Sequence, residues 1–220
     1  MTMKHMKQAK KAPRVYSLAE EITSSITHGI GAALAIAALV VLIIRAVERS
    51  DVRGVVAVSI YGSTLIILYL MSTLYHAFTH RRTKAVFKFL DHVSIYLLIA
   101  GTYTVYSLSV MRGPMGWAIF GAIWGLALIG IVLESLGLTR NKILSTSLFV
   151  MMGWVVIFVA GPMKAAMSST SFHFLLWGGA AYTFGAIIYA LKRLPWTHPV
   201  WHVFVIAGSV LHFLSIWWTF

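Results

Sequence analysis

The chain has 220 residues, 59% of them hydrophobic and 11% charged, with a mean hydropathy of +0.83. A soluble domain of this length cannot hide so much apolar surface, so the composition points to an integral membrane protein. The absence of cysteine excludes disulfides, thiolate metal sites and cysteine nucleophiles, while a net charge of +12, carried on basic residues between apolar runs, points to topology and anionic lipid rather than nucleic acid.

Residues 1–19 form a basic arm with no function legible beyond topology and attraction to lipid. Seven apolar runs follow, at about 24–44, 54–77, 86–108, 115–136, 142–162, 172–191 and 198–219, each near the roughly 20 residues that cross a hydrocarbon core. Short polar breaks such as HRRTK (80–84) and LTRNK (138–142) separate them. The runs lack the period-2 alternation of an outer-membrane barrel. The expected fold is therefore all-α, a seven-transmembrane-helix bundle forming a single domain over residues 20–220. The first run is too long for a signal-peptide core and is expected to be retained. Thirteen of the 18 Lys and Arg fall on one side if the N-terminus is inside, so the chain is expected to start in the cytoplasm and end outside.

Ionisable residues within such runs are functional candidates, because burying them is costly unless they are paired. The first run carries Glu21 and His28, seven residues apart and on one face. The second ends with Ser72 and His76, again on one face, and the third opens with Asp91 and His92. In the fourth, Glu134 is expected to pair with Arg140 or Lys142, and the spacing GAIWG (121–125) permits close helix packing. Tyr103, within GTYT (101–104), either lines a cavity or bonds across helices. The seventh run opens with His198 and His202, whereas His212 lies about 15 Å of helix rise further on and is expected to bond a neighbouring helix. In the expected topology the candidates from the first, second, third and seventh runs share the cytoplasmic half of the membrane.

Three imidazoles and a carboxylate at one depth suggest a metal site. HxxxH on a helix places two nitrogens on one face about 6 Å apart, His76 supplies a third ligand, and the fourth tetrahedral position stays open to water, as in catalytic zinc sites. Asp91 would take a proton from that water, and Ser72 would fix a ligand or the water. The competing interpretation is that histidines at helix ends simply sit at headgroup level, where Trp196 and Trp201 also lie. Spacing does not separate the two.

Five blocks carry a resemblance: EEITSSITHGIG (20–31), STLYHAF (72–78), FLDHVSIYLLIAGTYT (89–104), the basic turn before the seventh run, and HPVWHVFVIAGSVLHF (198–213). In this order they resemble the haemolysin III branch of the progestin and adiponectin receptor (PAQR) family, nearest to bacterial inner-membrane members. The resemblance implies seven helices with the N-terminus inside. It also implies zinc held by His76, His198 and His202, with Asp91 and Ser72 in the catalytic machinery and Glu21 and His28 as a further polar cluster. Ser24 stands where an Asn is common in the family, and Val105 where a Pro often follows GTYT. The implied activity is zinc-dependent hydrolysis of a ceramide-like lipid amide or ester, with membrane lipids as partners and no nucleic acid. The alternatives are a non-enzymatic membrane sensor with structural zinc and a membrane-permeabilising, haemolysin-like protein.

Overall fold

A computed structural model describes residues 16–49, 51–139, 141–190 and 195–220, without the side chain of Lys142. Most of the expected basic arm, together with His5, Arg140, Lys192 and Arg193, lies outside the described residues. Eight α-helices follow in order: α1 (Leu18–Glu48), α2 (Val52–Ala77), α3 (Arg81–Val105), α4 (Gly113–Ser135), α5 (Lys142–Gly153), α6 (Ala160–Ala166), α7 (Ser169–Ala190) and α8 (Thr197–Trp217). A 3₁₀ segment, Trp154–Val159, joins α5 to α6, and a π-helical turn, Tyr106–Met111, extends α3. Counted with these joins, seven helical spans are long and apolar enough to cross a membrane. There is no strand among the described residues. The chain is a multi-pass, all-α membrane protein.

The pattern of α1 shows how the sequence specifies this arrangement. Ile22, Ile26 and Ile30 point outward at four-residue spacing, while Glu20, Ser24 and His28 are buried. A soluble helix would reverse those faces. α2 packs between α1 and α3, α8 lies against α1 and α7, and α4 and α5 cover α3. α2 and α3 form the interior, with 50% and 61% of their most apolar windows buried, against 22% for α4.

Backbone groups released at the irregular joins find partners, as a low-dielectric setting demands. The Tyr103 hydroxyl donates to the Gly153 carbonyl at 2.7 Å and accepts from Val156 N–H at 2.7 Å. It also lines the central cavity, so both of its expected roles hold. At the opposite end of the bundle from Leu18, Arg112 takes a left-handed conformation (φ 38°) and reaches the Asp51 carboxylate at 2.9 Å. The close packing that GAIWG permits is not made among the described residues: nothing lies within 4 Å of where a Cβ would stand at Gly121 or Gly125.

Candidate metal centre

The start of α1 organises the site. Ser17 and Glu20 form a capping box, with Glu20 N–H donating to Ser17 Oγ (3.2 Å) and Ser17 N–H to Glu20 Oε2 (2.8 Å). The other oxygen of Glu20 accepts the N–H of Trp196 at 2.8 Å. Trp196 adopts a left-handed conformation (φ 62°) immediately before α8. Glu20 therefore fixes the angle at which His198 and His202 enter the bundle.

His76, from the last turn of α2, meets both. His198 Nε2 lies 2.9 Å from His76 Nε2 and 3.1 Å from His202 Nε2, and all three side chains are buried. A ligand nitrogen from each falls within 4.8 Å of the others.

The partners of the remaining ring nitrogens assign the tautomers. His76 Nδ1 lies 2.7 Å from Glu21 Oε2, and His202 Nδ1 lies 3.2 Å from the Ser24 carbonyl. Both oxygens only accept, so both Nδ1 atoms carry the proton and both Nε2 atoms present lone pairs. His198 Nδ1 lies 3.3 Å from the Tyr16 hydroxyl, and its ring stacks on Tyr16 with centroids 4.7 Å apart. A proton on His198 Nε2 would satisfy one neighbour and leave the other lone pair without a donor.

A cation satisfies all three nitrogens at once. His76, His198 and His202 would hold such an ion, since a ligand nitrogen from each lies within 4.8 Å of the others. The donor set fits a borderline-soft divalent ion.

Glu21 holds more than His76. Its Oε1 lies 3.0 Å from Lys84 Nζ, and Lys84 also donates to the carbonyls of Tyr75 (3.1 Å) and Phe78 (3.3 Å) at the end of α2. One carboxylate thus ties α1, α2 and α3 together behind a candidate ligand, the arrangement that orients metal-binding histidines.

Asp91 sits on α3 and Ser72 on α2, where the Ser72 Oγ is buried without a hydrogen-bond partner among the described residues. Both line a cavity of about 1140 Å³, which His28, His198 and His202 also border. The cavity continues along α3 past Ile95, Leu98 and Thr102 to Tyr106, and reaches Tyr182 and His212. It is polar at both ends and apolar between them.

The other histidines separate clearly. His28 stacks on His202 with ring centroids 3.5 Å apart and planes 9° from parallel, and neither of its nitrogens has a partner. Glu21 and His28 share a face of α1 but do not meet; they approach the centre through His76 and His202 respectively. His92 Nδ1 donates to the Lys88 carbonyl at 2.8 Å, and exposed His80 meets Thr83. His212 Nε2 donates to the Leu175 carbonyl of α7 at 3.3 Å, its ring filling the space above Gly178 that a Cβ would occupy. Glu134 accepts from the Thr139 hydroxyl, while its expected partners, Arg140 and the Lys142 side chain, lie outside the described residues.

The family model described as "Haemolysin-III related" matches residues 16–213. The chain belongs to the haemolysin-III-related family. Within it, "Hemolysin-3" of Bacillus cereus is 43% identical over 197 residues, covering 90% of each chain. The "Hemolysin-3 homolog" of Bacillus subtilis (strain 168) is 41% identical over 202 residues, 92% of this chain and 95% of the relative. The human "Monocyte to macrophage differentiation factor" is 27% identical over 164 residues, 72% of this chain and 68% of the relative. The match to the haemolysin-III-related family contains all three histidines of the centre, Asp91, Ser72 and the α1 start from Tyr16 onward.

Sequence reasoning missed Tyr16, Glu20 and Lys84. Ser17-Leu-Ala-Glu20 was a readable capping-box signal. Lys84 near the start of α3 is unfavourable for the helix dipole, which hinted at a partner elsewhere. Nothing in the sequence marked Tyr16.

Proposed function

We propose that this chain is a zinc-dependent hydrolase of a membrane lipid amide or ester, working in the inner leaflet of the bacterial cytoplasmic membrane. The observation that carries the proposal is the convergence of the Nε2 atoms of His76, His198 and His202 beside a cavity that also presents Asp91 and Ser72. His76, His198 and His202 would hold the metal. Zinc at such a centre polarises a carbonyl and brings the pKa of water down to about 7.

The remaining chemistry belongs to the chain. Asp91 lines the cavity and is not engaged by Lys84, and it would accept the proton from the attacking water and return it to the leaving amine or alkoxide. Ser72, whose buried hydroxyl is without a partner, would fix a ligand or the water. The apolar middle of the cavity, from Ile95 to Leu176, would take the acyl chain.

The test combines metal analysis with turnover by the purified protein. Wild type is expected to carry about one zinc per chain, lost in His202→Ala, and to hydrolyse a lipid amide or ester in a broad panel. Asp91→Asn is expected to keep the metal and lose at least about 100-fold in rate. Zinc-replete protein inert across the panel would refute the hydrolase.

One observation favours a second reading, a non-enzymatic membrane factor with structural zinc. α2 and α8, which supply the three histidines, share almost no backbone contact along their lengths. An ion between them would then act chiefly as a crosslink, and Asp91→Asn would leave cellular function intact.

A further inference from the structure

The end of the cavity away from the metal centre carries a polar pair of its own. Tyr182 of α7 and His212 of α8 both line the cavity, with ring centroids 5.3 Å apart. Each ring is seated on a glycine of the other helix, Tyr182 on Gly208 and His212 on Gly178, in the space a Cβ would fill. The two side chains are therefore fixed in place by the α7–α8 packing itself.

Their hydrogen bonds leave one acceptor and one proton over. His212 turns its Cδ2–Nε2 edge to Gly178, and Nε2 donates to the Leu175 carbonyl at 3.3 Å. Nδ1, on the other edge of the ring, is thus a lone pair, and it makes no hydrogen bond among the described residues. The Tyr182 hydroxyl lies 2.8 Å from Ser209 Oγ, which also accepts from the Tyr69 hydroxyl at 2.8 Å. Three hydroxyls share two hydrogen bonds, so one O–H proton has no acceptor within the cluster. With Tyr69 donating to Ser209 and Ser209 to Tyr182, that proton belongs to Tyr182, which lines the cavity while Tyr69 and Ser209 do not. Buried donors and acceptors are rarely left unpaired unless a ligand or water meets them.

The chemistry of the pair selects the group that fits it. A lone pair beside a spare proton suits a group that both donates and accepts, as a hydroxyl does. A carbonyl or carboxylate would leave Nδ1 without a donor, and an ammonium would leave the tyrosine proton without an acceptor. The cavity's lysines, Lys84 and Lys88, stand in the first turns of α3, at the metal end. Depth then sets where on a ligand the hydroxyl must stand. His212 follows His202 along α8 by about 15 Å of helix rise. An extended chain advances roughly 1.2 Å per bond, so the hydroxyl falls about twelve bonds from a carbonyl at the metal centre.

We propose that Tyr182 and His212 bind a hydroxyl carried on the acyl chain of the substrate, near its twelfth carbon. The proposal rests on the reading of the cavity as the site of a lipid hydrolase and names the class of lipid it takes, an amide or ester of a chain-hydroxylated acid.

The experiment measures lipid retained by zinc-loaded, detergent-solubilised protein in native mass spectrometry, counting intact amide and any acid released from it together. The probes are the ethanolamides of stearic acid, of stearic acid hydroxylated at the twelfth carbon, and of stearic acid hydroxylated at the second. Wild type is expected to retain the twelfth-carbon amide roughly tenfold over both others, since it alone brings a donor and an acceptor to the pair. Tyr182→Phe keeps the ring on Gly208, and His212→Phe keeps a ring on Gly178. Each should remove most of the preference while retaining the plain stearic amide as wild type does, which shows the cavity intact. Phe184→Leu, on the exposed side of α7, should change nothing.

Equal retention of the three amides by wild type would mean that water occupies the pair, and overturns the proposal. A preference that survives both ring variants does the same. Retention of free hydroxystearic acid but of no amide would make the ligand a fatty acid and overturn the substrate class. Zinc content and acyl release are read on the same samples. Preference for the twelfth-carbon amide without any release would refute the hydrolase and leave the hydroxyl site standing. Release from all three amides at one rate, with equal retention, would refute the hydroxyl site and leave the hydrolase.

Discussion

A metal bound to an imidazole lies in the plane of the ring, along the lone pair. The His28 ring lies parallel to that of His202 and 3.5 Å away, so an ion in the plane of His202 stands well outside that of His28. His28 therefore does not complete the ligand set, although it is buried as deeply as the three that form it. His28→Ala is expected to retain its zinc, whereas His76→Ala is expected to lose it, both read by elemental analysis. Glu21 acts differently, because its carboxylate fixes the tautomer and direction of His76 and raises the basicity of its ring. Glu21→Gln keeps a hydrogen-bond acceptor but removes the charge, so zinc affinity measured by chelator competition should fall roughly 10- to 100-fold. A change no larger than that of exposed His80→Gln would remove Glu21 from the centre. The ligand spacings SxxxH and HxxxH were legible because they repeat along single helices. The pairings of Glu21 with His76 and of Glu20 with Trp196 were not, since they join residues 55 and 176 positions apart.

Among the elements, the fifth apolar run departs most from its sequence reading. Residues 142–162 read as one continuous helix, yet the helix tightens to 3₁₀ at Trp154. Hydrophobicity carries no trace of this, because the cause is a hydroxyl from another helix. Tyr103 of α3 inserts at the join and satisfies both Gly153 C=O and Val156 N–H. Tyr103→Phe would leave the buried Val156 N–H without its partner, at a cost of about 1–3 kcal/mol. The thermal midpoint of the purified protein should drop accordingly. Tyr61→Phe supplies the contrast, because the Tyr61 hydroxyl is buried without a partner. Removing it should leave the midpoint unchanged or raise it. Equal losses in the two variants would mean that the Tyr103 contacts do not hold the join. The helical spans themselves were legible, since length and continuous hydropathy fix them without reference to neighbours.

At the scale of the whole molecule, the candidate site is where separate parts of the bundle meet. α2 brings His76 and α8 brings His198 and His202, while the first turns of α1, Tyr16 to Glu21, touch all three supporting positions: His198, the start of α8, and His76. Lys84 extends the same tie to α3. A ligand that binds only the folded state stabilises it by mass action, about 2.7 kcal/mol at 100 times its dissociation constant. Because the ion would join α2 to α8 at this end, while the Tyr69–Ser209 hydrogen bond (2.8 Å) joins them deeper in the bundle, that stabilisation should concentrate here. Chelation at neutral pH is therefore expected to lower the melting temperature and to increase hydrogen exchange at the starts of α1 and α8 and the end of α2, while Tyr103 and the α5 join stay protected. Acid should act in the same direction, since histidine ligates only when deprotonated: protons compete with the metal, so the stabilisation is present near neutral pH and lost as pH falls. The Asp91→Asn protein should show the same chelator-dependent shift as wild type, because Asp91 faces the cavity without supplying a nitrogen to the centre. If stripping the metal leaves both melting temperature and exchange unchanged, the three histidines do not tie α2 to α8 through an ion, and direct contacts such as Glu21–Lys84 and Glu20–Trp196 hold that end of the bundle.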